Sequence, residues 1–225
     1  MSGAEDSTRV LMPIVNDDPF GKFGLVAKRL WHRGAVPLVI GACCFVLALG
    51  GAAARDWGSY DRAAIEDGQL WRLLTAHLVH LGWAHLWPNL LALLLIGGLL
   101  EEFLNPLEWV VASLVTGFAI SAGLYLLHPE TEWYVGLSGV LHGLVACGVV
   151  MMLRARAVGL GVGLGVGLGL KLCWEVVYGP VPLTAASVGG AVVVPAHLYG
   201  AISGALAGLA FVAARRRVAP STARL

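Results

Sequence analysis

The sequence predicts an all-α membrane protein that crosses the bilayer six times, and three observations predict it. Of its 225 residues, 58% are hydrophobic and only 13% charged, where soluble domains carry about a quarter charged residues. The apolar residues gather into six runs of helical length, and helices satisfy their own backbone groups in lipid. Lys and Arg then fall mostly on one side of the implied bundle. The net charge of +1 and the lack of a long basic block give no reason to expect a nucleic-acid partner. Cys43, Cys44, Cys147 and Cys173 lie within apolar runs without zinc-ligand spacing, so they read as small buried residues.

Residues 1 to about 19 are acidic and contain two prolines, which reads as a disordered tail without a cleavable leader. From Phe20 to Trp31 apolar residues recur at helical spacing among Lys22, Lys28 and Arg29. That stretch is either an interfacial helix or the basic flank of a span. The first span is an uninterrupted, uncharged run from about Val36 to Ala54. Arg55 to Leu74 is too polar to span, and its Trp57, Tyr60, Trp71 and Arg72 suit a loop lying half in the membrane interface. The second span runs from near Trp83 to Leu100 and is ended by Glu101, Glu102 and Pro106. The third covers about Val110 to Leu127, before His128-Pro129-Glu130.

The fourth span begins at Ser138 and ends at about Leu153, nearer ~24 Å than the ~30 Å of a bilayer core, so its first residue should lie below the membrane surface. The fifth, about Ala157 to Glu175, has Gly at every second position from 159 to 169, which predicts a loosely packed helix. Val176 to Pro195 is an apolar loop with Gly and Pro. The sixth span covers Ala196 to Ala214 and stops at Arg215-Arg216-Arg217. The organisation is thus a tail over 1–35, a six-helix domain over 36–214 and a basic tail over 215–225, with both termini cytoplasmic. The N-terminal flank, Arg154, Arg156 and the C-terminal arginines would lie inside, leaving Arg55, Arg62 and Arg72 outside. This orientation puts Ser138, His85 and His197 on the same outer side.

Ser138 sits in Gly136-Leu137-Ser138-Gly139, where the glycines leave its hydroxyl uncrowded. The start of a helix also points free N–H groups outward, where an oxyanion would be stabilised. His142 follows on the same face, one turn on. His197 opens the sixth span above a ridge of Gly200, Gly204 and Gly208, which allows close approach to the Gly139–Gly143 face. Ser with His is the minimum for a nucleophile and its general base. His85 and Asn89, one turn apart, can both donate to an oxyanion. A competing reading takes His77, His80 and His85 as a metal site, although no carboxylate or Cys sits at a matching position nearby.

Together these residues resemble the rhomboid intramembrane serine proteases. The matching pieces are Trp71-Arg72, His80-x4-His85-x3-Asn89, Gly97-Gly98-x2-Glu101, Gly136-Leu137-Ser138-Gly139 and Ala196-His197-x2-Gly200-x3-Gly204. The resemblance implies a Ser138–His197 dyad without an acidic third member. It implies an oxyanion hole from His85, Asn89 and the Ser138 N–H, with His80 as support, and a first outer loop that dips into the membrane. No metal or cofactor is implied. Where many rhomboids carry Tyr one turn after the nucleophile, this chain has His142. The run Gly-Leu-Ser-Gly-Val-Leu-His-Gly-Leu looks like the rhombosortase branch, which implies membrane-anchored substrates with a C-terminal Gly-Gly, a helix and a basic cluster. The location implied is a bacterial inner membrane. A non-catalytic, client-binding relative is the alternative outside catalysis.

Overall fold

The computed structural model describes residues 19–182 and 192–218. The expectations for residues 1–18, for the middle of the loop before the last helix and for the end of the basic tail lie outside them. The first helix, α1 (Pro19–Leu49), is continuous, so the stretch ahead of the first span extends that helix. The span itself corrects the expectation of an uninterrupted run to Ala54. At Gly50–Gly51 the chain bends by 119° into α2 (Gly51–Gly58). Gly51 makes the corner with φ +58°, a left-handed conformation that side chains disfavour. Arg55 and Asp56 in α2 gain little from entering lipid, which favours the bend.

The loop that follows holds a two-residue strand β1 (Tyr60–Asp61) and the short helices α3 (Arg62–Glu66) and α4 (Arg72–Thr75). Arg72 is buried and ties the loop together, donating to the carbonyls of Asp56 and Ser59 and to the Gln69 side chain, each at 2.8 Å. Trp57 and Trp71 stack with ring centres 6.1 Å apart and remain exposed beside Leu70 and Leu74, an apolar face suited to a membrane interface.

Helix α5 (Trp83–Leu100) has the expected bounds. Helix α6 (Pro106–Leu127) starts earlier than expected, because Asn105 and Glu108 form a reciprocal capping box and Pro106 opens the first turn. Arg62 caps the other end of α6. Its guanidinium donates to the carbonyls of Leu124 at 3.0 Å, Tyr125 at 3.1 Å and His128 at 2.9 Å, at the end of the helix where the intrahelical ladder runs out. Replacing Arg62 by Ala is expected to cost about 1–3 kcal/mol, with little recovery in Arg62→Lys, whose ammonium lacks the planar fork. Thermal unfolding of the detergent-solubilised chain measures both.

Strand β2 (Trp133–Tyr134) pairs antiparallel with β1, and the chain enters α7 (Ser138–Arg154), then α8 (Val158–Tyr178) and α9 (Val194–Val218). Among the described residues, four helices (α5, α6, α8 and α9) are long and apolar enough to cross a membrane, or five if the bent α1–α2 pair counts as one. The shorter α7, with 17 residues, lies at the centre and buries most of its length, so protein more than lipid surrounds it. Its contact with α9 is backbone to backbone. A Cβ on Gly200 would collide with the Gly139 carbonyl, and one on Gly204 with the Gly143 carbonyl. By contrast, α8 is largely exposed, and only Gly161 and Glu175 among its residues are buried.

Candidate active site

Three local ties place Ser138 at the start of α7. Tyr60 pairs with Tyr134, the Gly136 N–H donates to the Ala76 carbonyl at 2.9 Å, and the Tyr134 hydroxyl donates to the Gly136 carbonyl at 2.8 Å. Gly136 turns the chain with φ +120°, and a Cβ there would lie 2.6 Å from His85 Cε1. Gly136→Ala therefore meets backbone strain and a histidine ring at once. Strain of about 1–3 kcal/mol, relieved by displacing His85 or Ser138 from the reacting geometry, corresponds to a loss of turnover of about 5- to 150-fold, read as the cleavage rate of a membrane-anchored reporter.

The glycine-lined contact of α7 with α9 brings Ser138 Oγ to 2.9 Å from His197 Nε2, although 59 residues separate them in the chain. His197 is 2% exposed. Its other ring nitrogen, Nδ1, lies 2.9 Å from Glu175 Oε2, and Glu175 Oε1 takes a 2.6 Å bond from the Lys171 ammonium. A carboxylate only accepts, so Nδ1 carries the proton and Nε2 presents a lone pair to the Ser138 hydroxyl. The His142 ring lies flat against His197, with centres 4.1 Å and planes 13° apart. His142 Nδ1–H donates to the Ser138 carbonyl at 2.7 Å. His142 therefore stacks on His197, with its ring held from below by its own helix.

His85 and Asn89 are buried on the facing wall. The Leu81 N–H donates to His85 Nδ1 at 3.4 Å, so Nε2 bears the proton, on the side of the ring beside Gly136. Asn89 donates one amide hydrogen to the His85 carbonyl at 2.8 Å and retains a second. His80 packs edge-on to His85 at 5.0 Å, and both of its buried ring nitrogens lack a partner among the described residues. Burial pushes the His80 imidazole down to about 3, with His85 a smaller contribution. His77 points to α6 instead, within 2.8 Å of the Gly117 carbonyl and 3.1 Å of Ser121 Oγ. Burial pushes its ring down to about 4.

Ser138, His85, Asn89, His142 and His197 all line one cavity of about 560 Å³. Pro88, Ala92 and Ile96 of α5 form one wall, and Gly163, Leu164, Gly167 and Leu168 of α8 the other. The cavity is thus apolar along its length and polar at the end that holds Ser138 and His197. Of the three histidines in the competing metal reading, His80 and His85 lie together while His77 is engaged by α6 instead. His142, Glu175 and His197 do lie within reach of one another. The two imidazoles are stacked face to face, however, so their in-plane lone pairs run side by side and do not converge on one ion.

Glu175 is the residue that the sequence reading missed, having been taken as the polar end of a span. The available signal was Lys171 with Glu175 one turn on, two ionisable residues at the end of an otherwise uncharged helix.

The rhomboid domain family matches residues 67–214, well over half of the chain. The chain belongs to the rhomboid family. This rhomboid is 30% identical over 99 residues to the candidate rhomboid protease YdcA of Bacillus subtilis, a match covering 44% of the chain and 50% of YdcA. It is 27% identical over 129 residues to the rhomboid protease GlpG of Haemophilus influenzae, covering 52% of the chain and 62% of GlpG. The match to the rhomboid protease GluP of Bacillus subtilis is 27% over 121 residues, covering 52% of the chain and 24% of GluP. The chain therefore spans less than two thirds of the length of each of these relatives. Like other rhomboids it is a multi-pass membrane protein.

Proposed function

We propose that this rhomboid is a serine endopeptidase that cleaves within or beside the transmembrane segments of membrane-anchored proteins. The observation that carries the reading is the 2.9 Å contact of Ser138 Oγ with His197 Nε2 at the polar end of the cavity between α5 and α8. His197 takes the Ser138 proton as Oγ attacks the substrate carbonyl carbon. The resulting oxyanion accepts from His85 Nε2–H, the free Asn89 amide hydrogen and the N–H groups at the start of α7. His197 then gives its proton to the leaving amine, and water or another amine resolves the acyl-enzyme. The apolar walls of α5 and α8 favour a hydrophobic substrate segment entering from the bilayer.

The substrate segment must be unwound at the reacting bond, because helical carbonyls are engaged by their own N–H groups. Gly-Gly at that point eases unwinding, and this suits the rhombosortase-like run from Gly136 to Leu144. The reading places six crossings in a bacterial inner membrane, with α7 as the short central span, both termini inside and the cavity opening outward. A fluorophosphonate probe tests it, using the full chain in liposomes with a reporter ending in Gly-Gly, an apolar helix and arginines. Covalent labelling at Ser138 that blocks reporter cleavage is expected. Cleavage that continues with Ser138 fully labelled overturns it.

A further inference from the structure

We infer that Glu175 is a third member of this site, a positioning residue that holds His197 in the tautomer the reaction needs, and that Lys171 dictates which Glu175 oxygen faces the imidazole. The inference rests on the serine-protease reading above and adds to its pair of residues a carboxylate from a different helix. Four polar groups form one line: Lys171 Nζ to Glu175 Oε1 at 2.6 Å, Glu175 Oε2 to His197 Nδ1 at 2.9 Å, and His197 Nε2 to Ser138 Oγ at 2.9 Å.

The burial pattern of α8 argues that this line is built for the site. The helix exposes Val158, Leu160, Val162, Val166, Leu170 and Trp174, whereas the Glu175 side chain is fully buried. A carboxylate buried without partners is strongly disfavoured, and here both oxygens are engaged by donors. Proton positions follow from the partners. The carboxylate can only accept, so His197 Nδ1 is protonated and Nε2 is free to receive the hydroxyl proton. When Ser138 attacks, that proton moves to Nε2, and the imidazolium then faces the Glu175 carboxylate. Glu175 stays ionised throughout, held so by the Lys171 ammonium, and no proton passes to it.

Lys171 gives the arrangement a testable asymmetry. In Glu175→Gln, the ammonium can be met only by the amide oxygen, which leaves the NH2 group turned toward His197 Nδ1. Two donors cannot face each other, so the imidazole shifts its proton to Nε2 and loses the lone pair that Ser138 needs. Replacing Lys171 by Met as well removes that constraint. The amide is then free to turn its oxygen to Nδ1–H and restore the working tautomer.

The test measures reporter cleavage in liposomes for the wild type, Ser138→Ala, Glu175→Gln, Lys171→Met and the double variant. Loss of cleavage in Ser138→Ala checks the underlying reading independently. Glu175→Gln is expected to lower kcat by roughly 10²–10⁴-fold with KM changed less than twofold, and the double variant to regain at least tenfold over Glu175→Gln. A purely structural carboxylate would give no such recovery, because the second change removes a further partner. Undiminished kcat in Glu175→Gln, or a double variant no faster than Glu175→Gln, overturns the inference while leaving the Ser138–His197 reading intact. Should Glu175→Gln fail to fold, the ¹⁵N spectrum of His197 in the wild-type chain decides. Protonated Nδ1 supports the inference, and protonated Nε2 overturns it.

Discussion

Ser138→Ala and His197→Ala are each expected to lower cleavage of a membrane-anchored reporter by roughly 10⁴-fold or more, the scale on which nucleophile and base act as one unit. The two variants should differ in stability. The Ser138 side chain makes its bond to His197, and its loss leaves His197 held by Glu175 and stacked on His142. Thermal unfolding should therefore be nearly unchanged in Ser138→Ala. His197→Ala instead leaves Glu175 buried with Lys171 as its remaining partner, and the stack on His142 is lost. A cost of about 1–3 kcal/mol is expected from the carboxylate that loses a donor. Cleavage above about a hundredth of the wild-type rate in either variant would remove the enzymatic reading, since losing the nucleophile or its base in a serine hydrolase costs on the order of 10⁶-fold.

Gly204→Val is expected to reduce turnover by roughly 10²-fold and stability by about 1–3 kcal/mol, although Gly204 touches no reacting group. A Cβ there would fall on the Gly143 carbonyl and Cα, which are backbone and cannot move aside as a side chain would. The helices must separate, and the same interface sets the distance from Ser138 to His197 two turns above. A shift of about 1 Å at the reacting atoms is enough for the loss. The control is Gly169→Ala on α8, where a Cβ meets open space. It should stay within about 0.5 kcal/mol of the wild type, as surface changes generally do. Wild-type cleavage by Gly204→Val would show that close helix approach does not set the site geometry.

The sequence by itself determined the helical membrane class, the ends of the second span and the family. Long apolar runs leave few alternatives in lipid, and a serine between glycines with histidines at set spacings is a local pattern. The early start of α6 was missed, although Asn105, Pro106 and Glu108 carry a capping signal within four residues. The bend at Gly50–Gly51 was not legible, since hydropathy reports only that a run is apolar and takes no account of a left-handed corner within it. His77 and His80 look equivalent in the chain. Yet His77 faces Gly117 and Ser121 on α6, and His80 packs against His85 near the cavity.

Only the tertiary structure decided what surrounds His197. Local spacing ties Lys171 to Glu175, because residues one turn apart share a helix face. It cannot say which neighbouring helix that face meets. The meeting of α8 with α9, 22 residues apart at Glu175 and His197, depends on how whole helices pack. A polar residue near the end of a span therefore reads the same whether it borders water or supports an imidazole.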